Sequence, residues 1–597
     1  MKHLRRLNLY FARYRWHVLA GIVFVMLANV MKVLSPRVLG YAIDLVTENI
    51  AFYGMLDGFD LQNALNRSFL HALLLFSGAY LLLSVISGGF TFLVRQTIIV
   101  MSRRIEFDLK NDIYTHYQAL DQAFYKRNDT GDLMSRITED VSRVRMYLGP
   151  ALMYFINTLF LTTFTIGMMW SINPTLTLYV LIPLPLLSIS IFYVNGLINR
   201  GSEAIQRQLS TLTSDAQESF SGIRVIKSYV QEAAVRASYD SASDDYKEKS
   251  LHLARIEAFF FPLMVLLIGA STVITIFIGG MQVIRGAITP GNIAEFVIYV
   301  NMLTWPVTSL GWIASIIQRA SASQERINAF LDTEPAITSE GSDQSPVVGD
   351  IRFDGVTFTY PDTGITALRD IDLHIPAGEK WAIVGRTGSG KTSMAELLFR
   401  MYDPDDGRIL VDGIDIRDRD LFHYRDQIGY VPQDVFLFSD SVRNNIRFAD
   451  AELGDDAVET AARQAAILDE IHDFAQGMET RVGERGVTLS GGQKQRISIA
   501  RALIKKPNVL VLDDCLSAVD AHTEERILDE LGAAIEGRTT LVITHRIFTL
   551  FDLDHIVVLD EGRIAERGTH EELLAKKGAY FDIWQLQQRE TEAPAGS

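Results

Sequence analysis

The chain has 597 residues, of which 48% are hydrophobic by type, and a formal net charge of −16. That length leaves room for several domains, and the acidic balance argues against a nucleic-acid partner. A single cysteine, Cys515, excludes an intrachain disulfide and a cysteine-based metal cluster.

The N-terminus is basic. Before the first apolar segment the chain carries several cations and no acid, which predicts a cytoplasmic N-terminus. That apolar segment has no small-residue cleavage site, so we expect a membrane span rather than a cleaved signal. The cations are Lys2, Arg5, Arg6, Arg13 and Arg15.

Six apolar segments suit membrane spans, since a spanning helix needs roughly 20 apolar residues. Residues 146–199 contain no Asp, Glu, Lys, Arg or His over 54 positions, which predicts two spans joined by a turn at Ser171-Ile172-Asn173-Pro174. Buried helices of a large soluble core are the alternative, but such cores rarely sustain these apolar lengths. The predicted spans are about residues 16–37, 70–94, 147–170, 175–197, 258–284 and 293–318.

The charged segments at residues 95–145 and 200–257 are predicted to be cytoplasmic. Their charges recur at helical spacing, which favours membrane helices that continue beyond the bilayer over ordinary solvated loops. The predicted organisation is a membrane domain at 1–332, a linker at 333–348, an α/β domain at 349–589 and a disordered tail at 590–597.

A phosphate-binding loop opens the α/β domain's first helix. It follows a predicted strand at residues 380–384, the context that this motif requires. Its glycines let backbone N–H groups face phosphates, and the helix N-terminus adds favourable polarity. Lys391 would reach the β- and γ-phosphates, and the Thr392 hydroxyl would bind Mg²⁺. The loop consists of Gly385, Arg386, Thr387, Gly388, Ser389, Gly390, Lys391 and Thr392.

Two adjacent carboxylates, Asp513 and Asp514, end a second apolar strand at residues 509–512. A buried strand that delivers carboxylates to its tip is a common way to hold Mg²⁺ and to aim a water at a nucleotide phosphate. Asp513 is predicted to hold the metal, through water. The two motifs together predict a P-loop nucleoside triphosphatase without specifying its kind.

The segment Leu489-Ser490-Gly491-Gly492-Gln493 is the signature sequence of ATP-binding cassette (ABC) proteins. Over about residues 10–585 the chain resembles ABC exporters built as half-transporters. The resemblance implies an all-α six-helix transmembrane domain followed by an α/β P-loop ABC ATPase domain. It also implies ATP and Mg²⁺ as ligands, and a multi-pass protein of the cytoplasmic membrane with both termini and the ATPase domain inside.

Resemblance assigns roles to three further residues. Tyr360 would stack on adenine, Gln433 would link Mg²⁺ and water to the membrane domain, and His545 would contact the γ-phosphate. Without the resemblance, such residues are more often packing or structural side chains. In this family the signature residues Ser490, Gly491, Gly492 and Gln493 complete the ATP site of the opposite cassette, so a second half-transporter is implied.

Several loops also match the family. Residues 517–520 match the D-loop, which crosses between paired cassettes. Residues 480–486 match an exporter-type loop and favour export over import. By the same resemblance, residues 119–131 and 217–229 are expected to couple the cassettes to the membrane helices.

Asp514 departs from the family, which usually has glutamate there. That glutamate acts as general base or positions the attacking water. The acid here is one methylene shorter, and a misplacement of about 1 Å can cost roughly a hundredfold in rate. The chain therefore resembles the degenerate-site subunit of heterodimeric multidrug exporters, whose partner is predicted to carry glutamate. A small backbone shift or an extra water that restores function is the alternative.

The expected substrate is an amphipathic small molecule, drug-like or lipid-like. Lys32, Arg37 and Glu295 lie at or near membrane depth, where charge often marks a pathway, although an outer-interface position also suits Arg37 and Glu295. The aromatic residues Trp305, Phe259, Phe260 and Phe261 could line such a site, with lipid-facing or helix-packing roles as the alternative. Two other functions stay open: a homodimeric lipid flippase that tolerates Asp514 as catalytic acid, and an ATP-gated regulatory ABC protein.

Overall fold

The computed structural model describes residues 3–55, 61–483, 486, 489–515, 521–545 and 553–592. The chain divides into two compact units. The first comprises Met1–Tyr117 and Gly131–Thr333, and the second comprises Gln118–Thr130 and Glu334–Ser597.

Six helical segments up to residue 333 are long and apolar enough to cross a membrane, which confirms the prediction of six apolar helices. They are Arg15–Ile50, Arg67–Ala119, Thr130–Ile172, Pro174–Ser221, Glu232–Ile284 and Pro290–Leu331. The α-helices in this part of the chain are α1 (Asn8–Arg13), α2 (Arg15–Met55), α3 (Leu61–Val94), α4 (Val100–Ala119), α5 (Gln122–Arg127), α6 (Thr130–Ser135), α7 (Val141–Met146), α8 (Leu152–Ile172), α9 (Pro174–Leu181), α10 (Pro183–Ser221), α11 (Ile223–Ser228), α12 (Glu232–Ile284) and α13 (Pro290–Leu331). Short π-helical segments interrupt them at Arg95–Ile99, Arg136–Asp140 and Tyr147–Ala151.

The helices of the second charged segment continue far beyond a bilayer. Helix α12 has 53 residues, or about 80 Å at 1.5 Å per residue, against roughly 30 Å of hydrocarbon. Helix α10 has 39 residues and carries an apolar first half and a charged second half. The expectation of membrane helices with long charged extensions is therefore met by α10 and α12.

Of the turn predicted at Ser171-Ile172-Asn173-Pro174, the first two residues still belong to α8, and the chain leaves helical structure at Asn173, before α9 begins at Pro174. Asn173 caps α9, because its side-chain oxygen accepts a hydrogen bond from the backbone N–H of Leu176 at 2.9 Å. The span predicted as one helix then consists of α9 and α10, which are separated at Ile182. Pro183 opens α10, where the N–H that proline lacks is not needed by the helix.

The second unit contains two sheets. Its strands are β1 (Ile351–Thr359), β2 (Thr366–Ile375), β3 (Lys380–Gly385), β4 (Asp406–Val411), β5 (Ile414–Asp415), β6 (Ile428–Val431), β7 (Val509–Asp513), β8 (Thr539–Thr544), β9 (His555–Asp560) and β10 (Arg563–Gly568). An antiparallel sheet has the order β2-β1-β4-β5, and a six-stranded sheet has the order β10-β9-β3-β8-β7-β6. In the larger sheet every pair except β9 with β10 is parallel.

Helices cover the larger sheet and bury strand β7 completely. Val509 and Val511 belong to one apolar core, and Leu510 and Leu512 belong to the other, as alternating side chains on a central strand should. The remaining helices are α14 (Lys391–Leu398), α15 (Leu421–Asp426), α16 (Val442–Ile446), α17 (Asp455–Gln464), α18 (Leu468–Asp473), α19 (Gly491–Leu503), α20 (Ala521–Ala534), α21 (His570–Lys576) and α22 (Ala579–Glu592).

The segment predicted as a linker packs onto the second unit. Val347 is fully buried, and the Arg419 guanidinium donates to the carbonyl oxygens of Ser345 and Val411 at 3.0 and 2.9 Å. At the other end, α22 continues to Glu592, three residues into the segment predicted as a tail.

Helix α5 belongs to the second unit although it lies in the first charged segment of the sequence. Ala123 is buried in the same apolar core as β1 and β2. Asp121 caps α5 by accepting from the backbone N–H of Phe124 at 3.0 Å, and its second oxygen accepts from the N–H of Ala336 at 2.7 Å. The first predicted coupling segment is thus bonded to the ATPase unit through side chain and backbone.

Candidate nucleotide site

The phosphate-binding loop connects β3 to α14 in a conformation that needs glycine. Gly388 and Gly390 have φ angles of +82° and +99°, a region that other residues rarely adopt. A side chain on Gly390 would also collide with the carbonyl oxygen of Ala367. The loop therefore brings its backbone close to strand β2 and ends at the N-terminus of α14.

Lys391 closes this loop. Its Nζ donates to the carbonyl oxygens of Gly385 and Arg386, both at 2.9 Å. Burial lowers its pKa, while the nearby carboxylates of Asp514 and Asp513 act in the opposite direction. The ammonium group is thus held above the loop, where it can move from carbonyl oxygens to phosphate oxygens.

Asp513 lies at the end of β7 and is almost completely buried. Its Oδ1 accepts a hydrogen bond from the Thr392 hydroxyl at 3.3 Å. Its Oδ2 is buried and has no hydrogen-bond partner among the described residues. Burial raises the pKa of this carboxyl to about 6. An orphaned carboxylate oxygen beside a threonine hydroxyl is a donor set that fits Mg²⁺, with water and phosphate oxygens as further ligands.

Asp514 follows directly and has a left-handed backbone, with φ +46°. Its Oδ1 lies 3.0 Å from Nδ1 of His545, and its Oδ2 accepts from Nε2 of Gln433 at 3.4 Å. Three residues from separate sequence motifs are therefore in contact. The arrangement arises because β6, β7 and β8 are parallel neighbours and each motif follows the carboxyl end of its strand.

Tyr360 lies beyond β1 with its ring half-buried. Its hydroxyl lies 2.8 Å from the hydroxyl of Ser393 and donates to Oε2 of Glu396, also at 2.8 Å. Burial raises the pKa of this phenol. The side chain is fixed through α14, the helix that the phosphate-binding loop opens.

Lys126 of α5 contacts the same aromatic residue. Its Nζ lies 4.7 Å from the ring centroid of Tyr360 and 5.2 Å from that of Tyr402, within the range of a cation–π interaction. It also lies 3.5 Å from Oε1 of Glu396. Sequence reasoning missed Lys126 and Glu396, because neither belongs to a motif.

These groups surround one cavity of about 930 Å³, which is in the range of sites that enclose a nucleotide-sized ligand. The predicted site residues that line it are Tyr360, Thr387, Gly388, Gly390, Lys391, Thr392, Gln433, Asp513, Asp514 and His545. Three other residues of the loop, Gly385, Arg386 and Ser389, do not line it. The Ser389 hydroxyl is buried without a partner among the described residues.

The signature residues lie elsewhere, since none of them lines this cavity. Ser490 caps helix α19, and Gln493 bonds back to the backbone N–H of Ser490 at 3.0 Å. Gly491 and Gly492 form the first turn of that helix. The signature thus presents the N-terminus of α19, and the backbone N–H groups of such a first turn are suited to an anion.

Some predicted loops lie outside the described residues. This holds for the D-loop at 517–520 and for residues 484 and 485 of the exporter-type loop. Cys515 is buried, and burial raises its pKa to about 12, as expected for a packing residue.

Comparison with known protein families matches both halves of the chain. Residues 18–307 match the family described as "ABC transporter transmembrane region". Residues 368–517 match the family described as "ABC transporter".

Individual relatives match over most of their length. The chain is 35% identical to the "Probable multidrug resistance ABC transporter ATP-binding/permease protein YheI" of Bacillus subtilis, over 100% of this chain and 99% of that protein. It is 35% identical to the ATP-dependent lipid A-core flippase of Syntrophus aciditrophicus, over 86% of this chain and 85% of that protein.

A solved structure, that of a bacterial Atm1-family ABC exporter with ATP bound, matches with a TM-score of 0.74 and 28% identity. The match covers 98% of this chain and 100% of that one. The predicted fold class is confirmed. The chain belongs to the ABC transporters, as a half-transporter that joins a membrane domain of six apolar helices to one ATP-binding domain.

Proposed function

We propose that this protein uses ATP to export amphipathic small molecules, drug-like or lipid-like, across the cytoplasmic membrane. It acts as one half of a heterodimer, and its own ATP site hydrolyses slowly. Relatives named for multidrug resistance and for lipid A-core flipping support the export function. The contact of Asp514 with His545 and Gln433 is the observation that supports slow hydrolysis at this chain's own site.

The cavity binds ATP through groups that differ in role. Tyr360 stacks on the adenine, the loop N–H groups and Lys391 hold the phosphates, and Asp513 with Thr392 holds Mg²⁺. Asp513 and Thr392 would hold Mg²⁺ beside the phosphates, and the ion would supply positive charge against the phosphate oxygens. Gln433 and His545 then surround the γ-phosphate together with Asp514.

Asp514 lies where the family's glutamate would bind the water that attacks the γ-phosphate. Its side chain is too short to position that water well. Its two oxygens already contact His545 and Gln433, so the carboxylate stays back at the strand end. A glutamate would extend over an ångström further toward the phosphate, and about 1 Å of misplacement costs roughly a hundredfold in rate. We therefore infer firm binding of ATP and slow hydrolysis at this site.

A second half-transporter completes the arrangement. The signature N-terminus of α19 does not line the chain's own cavity, so its donors are available to an ATP bound by another cassette. In a heterodimer the intact Ser490 to Gln493 segment serves the partner's fast site. The partner then carries glutamate at the position equivalent to Asp514.

The second predicted coupling segment also supports a partner. Helix α11 buries none of its own side chains against the described residues. Around it, Phe220, Val225, Tyr229 and Val230 are between 61% and 79% exposed. Such an apolar patch at the end of a charged extension is typical of a protein interface, and we assign it to the partner's ATPase domain.

Transport follows from differential binding of ATP to two states of the dimer. The N-terminus and both charged extensions face the cytoplasm, as the basic N-terminal segment favours. ATP binding closes the two cassettes, and helix α5 transmits this motion to the membrane helices. It can do so because Lys126 contacts Tyr360, the residue that stacks on adenine. Hydrolysis at the partner's site resets the cycle.

A homodimeric lipid flippase is the second candidate. The likeness to a lipid A-core flippase favours it. It requires Asp514 to act as the catalytic acid in both sites, so that the chain purified alone would hydrolyse ATP at an ordinary rate. The two candidates therefore differ in a single measurable quantity.

The test is ATP turnover in lipid nanodiscs, with the chain alone and co-assembled with a half-transporter of the same cell that carries glutamate at the position equivalent to Asp514. Slow turnover alone and fast turnover together are expected. In the assembled complex, Asp514→Asn is expected to leave turnover nearly unchanged, whereas neutralising the partner's catalytic acid abolishes it. Equal losses from the two substitutions, or ordinary turnover by the chain alone, would overturn the heterodimer.

A further inference from the structure

The first unit contains a small cavity between α2, α3 and α8 that polar and apolar side chains line together. It has a volume of about 210 Å³, below the roughly 300–1,000 Å³ of pockets that enclose a whole drug-sized ligand. Its floor is apolar and includes the buried side chains of Val25 and Val94. The cavity therefore suits the head group of a molecule whose remainder lies outside it.

Two cations from different helices line this cavity. Lys32 comes from α2, and Arg95 comes from the π-helical segment after α3. Among the described residues no carboxylate lines the cavity. A cation at membrane depth, as Lys32 is, is costly and usually has a functional counter-charge. Arg95 lies at the predicted cytoplasmic end of α3, in a π-helical segment, and such segments often occur at functional sites. The missing negative charge is what a ligand would supply.

The position of Lys32 is within the apolar layer. It lies about 25 Å along α2 from Arg15 at roughly 1.5 Å per residue, still within a hydrocarbon thickness of about 30 Å. Residues 18–31 before it carry no charge. The Lys32 ammonium thus has no charged neighbour on the preceding turns of its own helix.

The polar side chains of the cavity add donors. Asn29 is buried and its Nδ2 donates both to the carbonyl oxygen of Val25 and to Oδ1 of Asn157, each at 2.9 Å. Both residues line the cavity, and because the Asn157 Oδ1 accepts this bond, the remaining polar group of that amide is a donor. The Ser87 hydroxyl donates to the carbonyl oxygen of Ala28 at 3.2 Å. The site is therefore rich in donors and cations.

An aromatic surface adjoins the cavity. Tyr154 lines it, and the Tyr154 ring packs against Trp305 and Trp312 at centroid distances of 6.4 and 5.3 Å. Both tryptophans are substantially exposed in this chain, at 55% and 40%. An apolar or aromatic body could lie on this surface while its charged end enters the cavity.

We propose that Lys32 and Arg95 form a subsite for an anionic head group, such as a phosphate or sulfonate, of the amphipathic substrate. The proposal rests on the export function proposed above and names the substrate class. Charge-assisted hydrogen bonds hold the anion, and the Asn157 amide adds a further donor. The head group comes either from a membrane lipid or from a water-soluble anionic drug.

The test compares fluorescent probes that share one alkyl chain and end in phosphate or in trimethylammonium. Binding is measured to the full-length assembled transporter in phosphatidylcholine nanodiscs, with empty nanodiscs subtracted. The phosphate probe is expected to bind at least tenfold more tightly. The double variant Lys32→Gln/Arg95→Gln should lose on the order of tenfold or more of that affinity. A soluble aromatic sulfonate without an alkyl chain binds only if the source is a free anion.

The matched control is Arg15→Gln/Arg67→Gln, which removes one cation from each of α2 and the α3 segment outside the cavity. It should keep the preference for the phosphate probe. Charge reversal, Lys32→Glu/Arg95→Glu, should transfer the preference to the trimethylammonium probe, a gain that misfolding cannot produce. Normal ATP binding verifies the fold of each variant.

Equal binding of the two probes, a preference for the cation, or unchanged binding in the double glutamine variant would overturn the subsite. Loss of preference in the control variant would overturn it too, because the effect would then be general surface charge. If the phosphate probe binds as expected but ATP does not drive its movement across proteoliposomes, the subsite stands and the export function fails.

Discussion

Oδ1 of Asp514 lies 3.0 Å from Nδ1 of His545, at the tips of the neighbouring parallel strands β7 and β8. The second oxygen of the same carboxylate contacts Gln433, which follows β6. Asp514 therefore interacts with both neighbours in the sheet, and its short side chain cannot keep these contacts and also extend toward the phosphate.

Lengthening this acid should restore turnover. Asp514→Glu in the chain purified alone is expected to increase ATP hydrolysis roughly tenfold or more, because the carboxylate gains over an ångström of reach. Steady-state phosphate release measures the effect. His545→Ala in the Asp514→Glu background should remove the gain. A variant that hydrolyses no faster than the parent would show that reach is not the limiting factor.

Asp513 should lower the stability of the nucleotide-free protein once it ionises. Its folded pKa of about 6 lies above the ordinary value of about 3.9, so the folded state disfavours the charge. The destabilisation is absent below about pH 4, grows as the pH rises to about 6, and is constant above. Its full size is on the order of 3 kcal/mol.

Asp513→Asn isolates this effect. The thermal midpoint of the variant minus that of the parent should be small at pH 4, rise through pH 5 and level off above pH 6, all without nucleotide or metal. The same variant should lose the advantage that Mg²⁺ gives to ATP binding. A midpoint difference that does not change with pH would contradict the ionisation.

Lys126 should affect coupling more than binding. Lys126→Met removes the cation from the Tyr360 ring and the ion pair with Glu396. A cation–π contact at a partly exposed site is worth about 0.5–1 kcal/mol, so ATP affinity should fall by roughly two- to fivefold. Substrate stimulation of ATP hydrolysis should fall further. Arg127→Met is the control, because Arg127 donates to a carbonyl oxygen of its own helix.

The hydroxyl and the ring of Tyr360 can be separated. Tyr360→Phe removes the bonds to Ser393 and Glu396 and should cost about 1 kcal/mol in stability while ATP affinity is kept. Tyr360→Ala removes the stacking surface, worth roughly 1–3 kcal/mol per base, and should weaken ATP binding about tenfold. Equal affinities in the two variants would exclude stacking on this ring.

The signature segment and the phosphate-binding loop of this chain should differ in their importance for ATP turnover. In the assembled heterodimer, Gly491→Asp in the signature is expected to reduce turnover by roughly a hundredfold, because it places an anion against the partner's ATP. Lys391→Ala in the phosphate-binding loop should reduce turnover only severalfold. Both effects are measured as ATP turnover of the assembled heterodimer in nanodiscs. The reverse order of effects would assign the fast site to this chain.

Much of the nucleotide site was predictable because each motif is local. The phosphate-binding loop, the acid pair and the residues Gln433 and His545 each follow a strand, and parallel strands bring their carboxyl ends to one edge of the sheet. The six apolar helices were predictable from the length and the apolar composition of their segments. In both cases a short stretch of sequence determines the position in the fold.

Contacts across long sequence separations were not predictable. Lys126 and Tyr360 meet only because α5 packs into the core of the ATPase unit, and nothing in the local sequence of Lys126 indicates this. The same holds for Lys32 and Arg95, which line one cavity from separate helices. The left-handed backbone of Asp514 was not predicted from the sequence either.

The burial of Ala123 makes the ATPase unit discontinuous in sequence. A fragment that begins at the linker lacks α5 and leaves an uncovered apolar surface beside β1 and β2. An exchange of ATPase domains between related transporters must therefore replace two separate segments, residues 118–130 and the C-terminal part, at the same time. A recombination event that separates the two pieces would pair each helix with a core shaped for another sequence.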